Sequence, residues 1–299
     1  MASSALKRST PLRAVFTGVA RDCARYLPAV LGNLAGFASC YAEAAFVFMV
    51  SDTNDESLSI FERWLTPGRR GRAIDLGALA GQLPKRTERL AFARNACLDE
   101  IRRSEWAEYD HLIVADLDDV LVGPISGFAE AARWLDAAPD RAAVFANATP
   151  RYYDIWALRH EAWCPGDCWH SIWERDSKEA FEAAKFREAY GRQIMIPESV
   201  RPICVRSAFG GLGLYRMQFA LASRYRGVDE QGREVSEHVA FNEAIGGVGG
   251  QLHVFPPLMV RAPEEHLYRA ADFPPWWRWA MFRQRLREGW RPPWRSLFP

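Results

Sequence analysis

The segment His111–Gly123, HLIVADLDDVLVG, constrains this chain more than any other. Leu112, Ile113, Val114 and Ala115 form a short apolar run that ends in Asp116, Asp118 and Asp119. An apolar run of that length bounded by polar residues reads as a buried strand of a parallel sheet. In open α/β sheets ligands bind at the carboxyl ends of such strands. Carboxylates crowded together repel one another and need a compensating cation. A divalent metal that prefers oxygen ligands, its shell completed by a phosphate-bearing ligand, meets that need. A D-x-D pattern by itself is equally a strand followed by a solvated acidic turn, so its neighbours must decide.

The 299 residues allow one large domain or two small ones, with 49% apolar and 25% charged residues, an ordinary globular balance. A net charge of +1 gives no footing for a nucleic-acid partner. No apolar run approaches the roughly 18 residues of a membrane span, and MASSALKRSTPLR has no apolar signal core. The expectation is a cytoplasmic protein that can touch a membrane surface. Cys164, Cys168 and His170 lie close enough to suggest zinc, but no fourth ligand is evident, and free thiols are the alternative.

Residues 1–12 are polar and expected to be disordered. Arg13–Gly18 is β-prone, and Asp22–Ala38 has helical spacing through Tyr26, Val30, Leu34 and Phe37. Ala44–Val50 reads as a second buried strand. A helix starts near Ser57 and stops at Pro67-Gly68. This strand–helix–strand–helix opening predicts a parallel α/β sheet. Thr17 and Arg21 follow the first strand, and Ser51 and Asp52 the second, where a ligand would sit. A short strand is expected at Ala73–Leu76 and a long helix at Thr87–Arg103, with Leu90, Ala93, Cys97 and Ile101 inward. Arg86, Arg89 and Arg94 on that helix bring positive charge toward the acids, whereas Arg102 and Arg103 read as a solvated face.

RLAFARNACLDE followed by the apolar strand and DLDD resembles the A-R-N helix and D-x-D-D of nucleotide-sugar-dependent glycosyltransferases of the GT-A fold. AVFTGVARD…AAFVFMVSD is similar to that group's first two strands. RYYDIWALR resembles a segment of the fungal capsule-associated and Anp1-like mannosyltransferases, and SAFGGLGLYR and SEHVAFN look like the acceptor-side and E-D/E-H segments of the same broad group, which also resembles family-2-like transferases. The resemblance spans roughly residues 13–262. It implies a GT-A (Rossmann-like), mostly parallel sheet flanked by helices over residues 13–265, followed by a Trp/Arg-rich tail over 266–299. It implies transfer of a sugar, mannose being one candidate, from a nucleotide-sugar to a hydroxyl acceptor, with Mn²⁺ or Mg²⁺. One departure is Glu237-His238 where many inverting members carry Glu-Asp, which leaves the base unassigned.

On this resemblance Asp118 binds the metal and Asp116 binds metal or ribose, while Asp119 supports them or contacts the sugar. Asp52 contacts the nucleotide, and Arg94 meets a phosphate or the donor sugar, where a planar fork outperforms lysine. Strand alternation would turn Asp116 and Asp118 one way and Asp119 the other. His253, in the strand-like QLHVF, is a candidate extra metal ligand, because several GT-A enzymes use a late histidine; a structural histidine is the plainer reading. Ser236 is a candidate N-cap for a helix over Ser236–Ile245. Glu237, and after it His238, is the candidate base for the acceptor hydroxyl, against a plain helix-dipole partner. Gly210 and Gly211 allow close backbone approach to a ligand. Among the aromatics Tyr152, Tyr153, Trp156, Trp163, Trp169 and Trp173, Trp156 together with Asp154 is the best candidate for acceptor or donor-sugar contact; aromatics are more often core.

Phe273–Pro299 shifts to FPPWWRWAMFRQRLREGWRPPWRSLFP. Alternating Trp and Arg suit a membrane interface with anionic lipid, which would match a lipid-linked rather than a free saccharide acceptor; packing on the domain or a partner subunit suits them equally. Two rival functions remain. LIVADLDDVL also resembles the nucleophile motif of haloacid-dehalogenase-type phosphatases, with Asp116 as nucleophile, although about a hundred residues of α/β pattern precede it. A non-catalytic carbohydrate-binding protein on the same fold is the other.

Overall fold

The computed structural model describes residues 11–66 and 68–269. In chain order these contain β1 (Arg13–Ala20), α1 (Leu27–Ala38), β2 (Glu43–Val50), α2 (Ser57–Leu65), β3 (Arg70–Asp75) and α3 (Arg86–Arg102). There follow β4 (His111–Ala115), α4 (Phe128–Asp136), β5 (Arg141–Thr149), α5 (Cys168–Trp173) and α6 (Phe181–Glu188). The last described elements are β6 (Ile203–Val205), β7 (Leu212–Arg216), α7 (Met217–Leu221), α8 (Glu237–Gly247) and β8 (Gln251–Arg261).

One sheet takes all eight strands in the order β3-β2-β1-β4-β7-β5-β8-β6. β3, β2, β1 and β4 pair in parallel, β7 is antiparallel to both β4 and β5, and β8 is parallel to β5. Six strands therefore send their carboxyl ends to one edge, and only β7 and β6 oppose them. This is the expected α/β architecture, a mostly parallel sheet flanked by helices.

Alternation along each strand splits the core into two layers. Val15, Val47, Leu112 and Val114 face α3, α7 and α8, where Cys97, Ile101, Met217, Phe241 and Ile245 close one side. Phe16, Phe48, Ile113 and Ala115 face α1, α2 and α4, where Leu27, Leu34, Phe61 and Phe128 close the other. Both faces of β4 are thus covered, which is why its sequence is continuously apolar rather than alternating.

Several boundaries differ from the sequence reading for local reasons. β1 runs through Gly18 to Ala20, because Leu117 packs directly on Gly18, where a Cβ would lie 2.5 Å from it. α1 begins at Leu27 rather than Asp22. Asp22 has φ +50, and Pro28 sits in the first helical turn, where its missing N–H costs nothing. β8 continues through Pro256-Pro257 to Arg261; residues 256–258 drop out of register with β5 between Ala146 and Asn147. Arg102 is not a solvated residue: its guanidinium donates to Leu221 O and Ser223 O.

Of the terminal expectations, residues 1–10 and the tail from residue 270 lie outside the described residues, including the Trp/Arg stretch. Leu12 O accepts Ala42 N–H at 2.9 Å, so the chain is already tied down before β1. Past the drawn boundary at 265, His266 stacks on Tyr153 and Tyr268 packs edge-on against Phe186. Among the described residues no helix is long and apolar enough to cross a membrane.

Candidate active site

At the carboxyl edge of the sheet lies a cleft of about 1270 Å³. Its floor is the turn after β4. Asp116 follows the last residue of that strand, and its N–H donates to Gly211 O at 2.9 Å. The chain then tightens into a 3-10 turn, Asp119–Leu121, capped by Asp118, whose Oδ1 accepts Val120 N–H at 3.4 Å. Asp116, Leu117, Asp118 and Val120 line the cleft and Asp119 does not. Asp119 opens the 3-10 turn, so strand alternation does not set its direction.

Arg94, on α3, lies between two acids. Its Nη2 donates to Asp116 Oδ1 at 3.1 Å and its Nε to Glu237 Oε1 at 2.9 Å. Its guanidinium stands 5.2 Å from the Phe209 ring and 6.0 Å from that of Tyr225. Next to it, Asn95 brackets the backbone of Tyr225 with two 2.9 Å hydrogen bonds. The Arg94-Asn95 pair therefore fastens α3 to the segment that leads into α8. Arg94 Nε and Nη2 are thus held by protein carboxylates, and its side chain is 6% exposed.

The electrostatics follow from this crowding. Burial and the neighbouring Asp118 push the Asp116 carboxyl up to about 7, with Arg94 pulling the other way. Its side chain keeps 27% exposure, so it remains reachable from the cleft. Burial, then Asp119, raises Asp118. Burial also raises Asp154, although Gly210 N–H at 2.9 Å and Ala157 N–H at 3.3 Å bond its two oxygens and oppose the shift. Burial works against the charge on Arg94, but Glu237 and Asp116 outweigh it and hold the guanidinium protonated. Such a set of cramped carboxylates favours a cation at their mouth.

The donor chemistry fits a hard divalent cation. Among the described residues no group of three or more His, Cys, Asp or Glu side chains is gathered to hold a metal without help. Asp116 and Asp118 offer oxygens only, and Mg²⁺-like ions are typically held by one or two carboxylates plus water and substrate phosphates. The same observation removes the zinc suggestion. Cys164 Sγ donates to Ile155 O and Gly166 O, while the His170 ring faces Glu234 O.

Of the residues singled out in the sequence, Arg21, Ser51, Asp52, Arg94, Asp116, Asp118, Asp154, Trp156, Glu237 and His238 line this one cleft. Asp52 has φ +50; its Oδ1 accepts Ala80 N–H at 2.9 Å and its Oδ2 lies 3.9 Å from Arg89 Nε. Glu237 opens α8, 5% exposed. Ser236 occupies the N-cap position, but its side chain makes no capping bond. His238 stacks on Phe209 with ring centroids 3.7 Å apart, and burial, then Arg94, holds its pKa well below the usual histidine range. Burial thus disfavours its protonated form.

Four sequence candidates fall elsewhere. Thr17 is mid-strand, 4% exposed, and donates to Ile113 O at 3.3 Å. Gly210 and Gly211 have φ +69 and +83 and are buried beneath the cleft. A Cβ at Gly211 would meet Val120 at 2.4 Å, so these glycines serve the backbone beside Asp116 rather than a ligand. His253 lies near the start of β8, opposite Val144 and 4.9 Å from the Trp134 ring, far along the strand from the carboxyl edge. Its metal role is withdrawn.

His253 has a different consequence. Burial, then Arg141, lowers it to about 4. A histidine depressed in the folded state contributes fully above its unfolded value near 6.5 and loses that contribution as pH falls toward 4. Relative to a His253→Gln variant, wild type should therefore lose stability as pH drops from 6.5 to 4 in parallel thermal melts. Parallel curves across that range would contradict the assignment.

The cleft also holds His266, which no sequence motif marked. His266, in a 3-10 turn just past β8, lines it, stacks on Tyr153 at 5.6 Å and interacts electrostatically with Asp118 and Asp154. Trp169 and Trp173 line it as well.

No family model matches this chain, and no curated protein does. Among solved structures it is similar to the mannosyltransferase PcManGT from Pyrobaculum calidifontis, in complex with GDP-Man and Mn²⁺, at 16% identity over 97% of this chain and 68% of that one, TM-score 0.49. It is similar to S. aureus TarS 1-349 at 12% identity, TM-score 0.46, covering 84% of this chain and 60% of that one. Glucosyl-3-phosphoglycerate synthase from Mycobacterium tuberculosis, with Mn²⁺, UDP and glucosyl-3-phosphoglycerate, gives 12% identity, 88% and 75% coverage and TM-score 0.43. The chain spans about three fifths of the TarS structure's length. Likenesses this distant transfer no activity to this chain.

Proposed function

We propose that this chain is a metal-dependent glycosyltransferase that moves a sugar from a nucleoside-diphosphate sugar to a hydroxyl acceptor. The observation that carries this reading is the composition of one cleft: paired carboxylates Asp116 and Asp118 on its floor, Arg21, Ser51, Asp52 and Arg89 on the β1–β2 side, and Asp154 with Trp156, Trp169 and Trp173 also lining it. The nucleoside and diphosphate are assigned to the β1–β2 side, where Arg21 is open to solvent, and the sugar to Asp154 and Trp156. Mn²⁺ or Mg²⁺ would be held by Asp118 and Asp116, and when bound it stabilises negative charge on the departing diphosphate. His266 replaces His253 as the histidine positioned to add to that shell. Mannose is one candidate sugar.

Within the chain, Arg94 orients both Asp116 and Glu237. Arg94 and His238 both approach Glu237 Oε1, at 2.9 and 3.5 Å. Oε2 is then the oxygen offered to the acceptor hydroxyl's proton, with Glu237 as base and His238 as a neutral support. A phosphatase using Asp116 as nucleophile fits less well, because three strands and three helices precede β4 rather than the acidic strand opening the domain.

The test is a panel of GDP- and UDP-sugars scored by thermal shift with Mn²⁺ and with EDTA. Specific binding raises Tm by mass action. At least one donor should stabilise the protein only when the metal is present. Equal stabilisation in EDTA, or none by any donor, would refute the reading.

A further inference from the structure

We infer that the far arm of the cleft seats an oligosaccharide acceptor of two or more pyranose rings; as an acceptor site this rests on the transferase reading. Three observations carry it. The cleft's volume of about 1270 Å³ exceeds the 300–1,000 Å³ usual for a small-molecule site, so a nucleotide-sugar leaves space beside it.

Second, three tryptophans line that arm. Trp156 lies two residues beyond Asp154. Trp169 and Trp173 are four apart on α5 and so share a face. Trp156 and Trp169 are backed by the core. Trp173 is 65% exposed and leans on Phe181 at 5.2 Å.

Third, polar groups are interleaved with these rings. Glu174 and Arg233 form an exposed ion pair at 2.6 Å, and the His170 ring nitrogen sits 3.2 Å from Glu234 O. A sugar ring has an apolar C–H face for an indole and hydroxyls at its edge for a carboxylate and a guanidinium. A lipid chain in the same arm would strip water from the ion pair with nothing in return. The alternation of aromatic faces and charged edges therefore favours saccharide. Trp169 and Trp173 lie about 6 Å apart along α5, close to the spacing of adjacent sugar rings, so the two indoles match two neighbouring rings rather than one.

The test is isothermal titration of methyl α-mannoside, α-1,6-mannobiose and α-1,6-mannotetraose, with maltose and maltotetraose, and chitobiose and chitotetraose, as further series, against the full chain. In at least one series affinity should rise about tenfold from the shortest to the tetrasaccharide. Trp173→Ala should weaken the tetrasaccharide about fivefold or more, and Trp173→Phe should restore most of it. Equal affinity for short and long members, no binding by any, or an unaffected Trp173→Ala variant would overturn the inference. Displacement of the tetrasaccharide by UDP or GDP alone would also overturn it, by giving the tryptophans to the base. A tetrasaccharide that binds when no nucleotide-sugar does would leave the saccharide site standing and sink the transferase reading; the reverse result sinks this inference alone.

Discussion

On the proposed function, Asp118→Asn is expected to lower Mn²⁺-dependent turnover of the nucleotide-sugar by about a thousandfold, since the carboxylate proposed to hold the metal would become neutral at the point where leaving-group charge develops. The fold should survive. Asp118 makes one backbone bond, to Val120 N–H at 3.4 Å, which an asparagine oxygen can also accept. Its carboxyl is raised by burial and by Asp119, so removing the charge relieves crowding rather than creating an orphan. Tm should accordingly stay within a few degrees of wild type or rise. Steady-state assays across a Mn²⁺ titration, paired with melts of the same preparations, separate the two effects. Turnover that persists at wild-type level would remove Asp118 from the metal shell.

Arg94→Met should act the opposite way, through stability first. The methionine stem fills much of the same space between Phe209 and Tyr225, but Asp116 and Glu237 lose their common counter-charge. Breaking a buried pair by removing one partner costs about 3–5 kcal/mol, because the charge left behind is uncompensated. That loss should be largest above pH 7. Asp116 already sits near 7 with Arg94 present, and without it the carboxyl protonates more readily, so at lower pH the neutral form avoids part of the penalty. Urea denaturation at pH 8 and pH 5.5 checks both magnitude and sign. A loss under about 1 kcal/mol at pH 8 would mean the triad is solvated and not a structural hinge of the site.

The sequence made the strand–carboxylate centre legible because burial on both faces forces a continuous apolar run, and β4 has it. The A-R-N helix and the S-E-H helix start were legible as well, and they meet: Arg94 touches both Asp116 and Glu237. Spacing alone shows no such partnership, since 143 residues separate Arg94 from Glu237. Other expectations failed where a local feature overrode periodicity. Gly18 looked like a strand end but is a contact point for Leu117, which moved Thr17 into the interior. The 3-10 turn after β4 replaced the alternation that would have placed Asp119. Two prolines hid the true length of β8. Had that strand been followed to Arg261, the rule that ligands gather at carboxyl ends would have selected His266 over His253, since β8 is parallel to β5 and shares its edge. Trp169 and Trp173 stood out as aromatics, but nothing in their spacing separates a cleft wall from core.

Anomalous diffraction at the manganese edge, from crystals soaked with Mn²⁺ and a nucleotide-sugar that stabilises the protein, tests the central claim most directly. The account predicts one strong peak touching the carboxylates of Asp116 and Asp118 and the donor's diphosphate. A diphosphate lodged away from those oxygens, or seated in the cleft with no metal between, would contradict it.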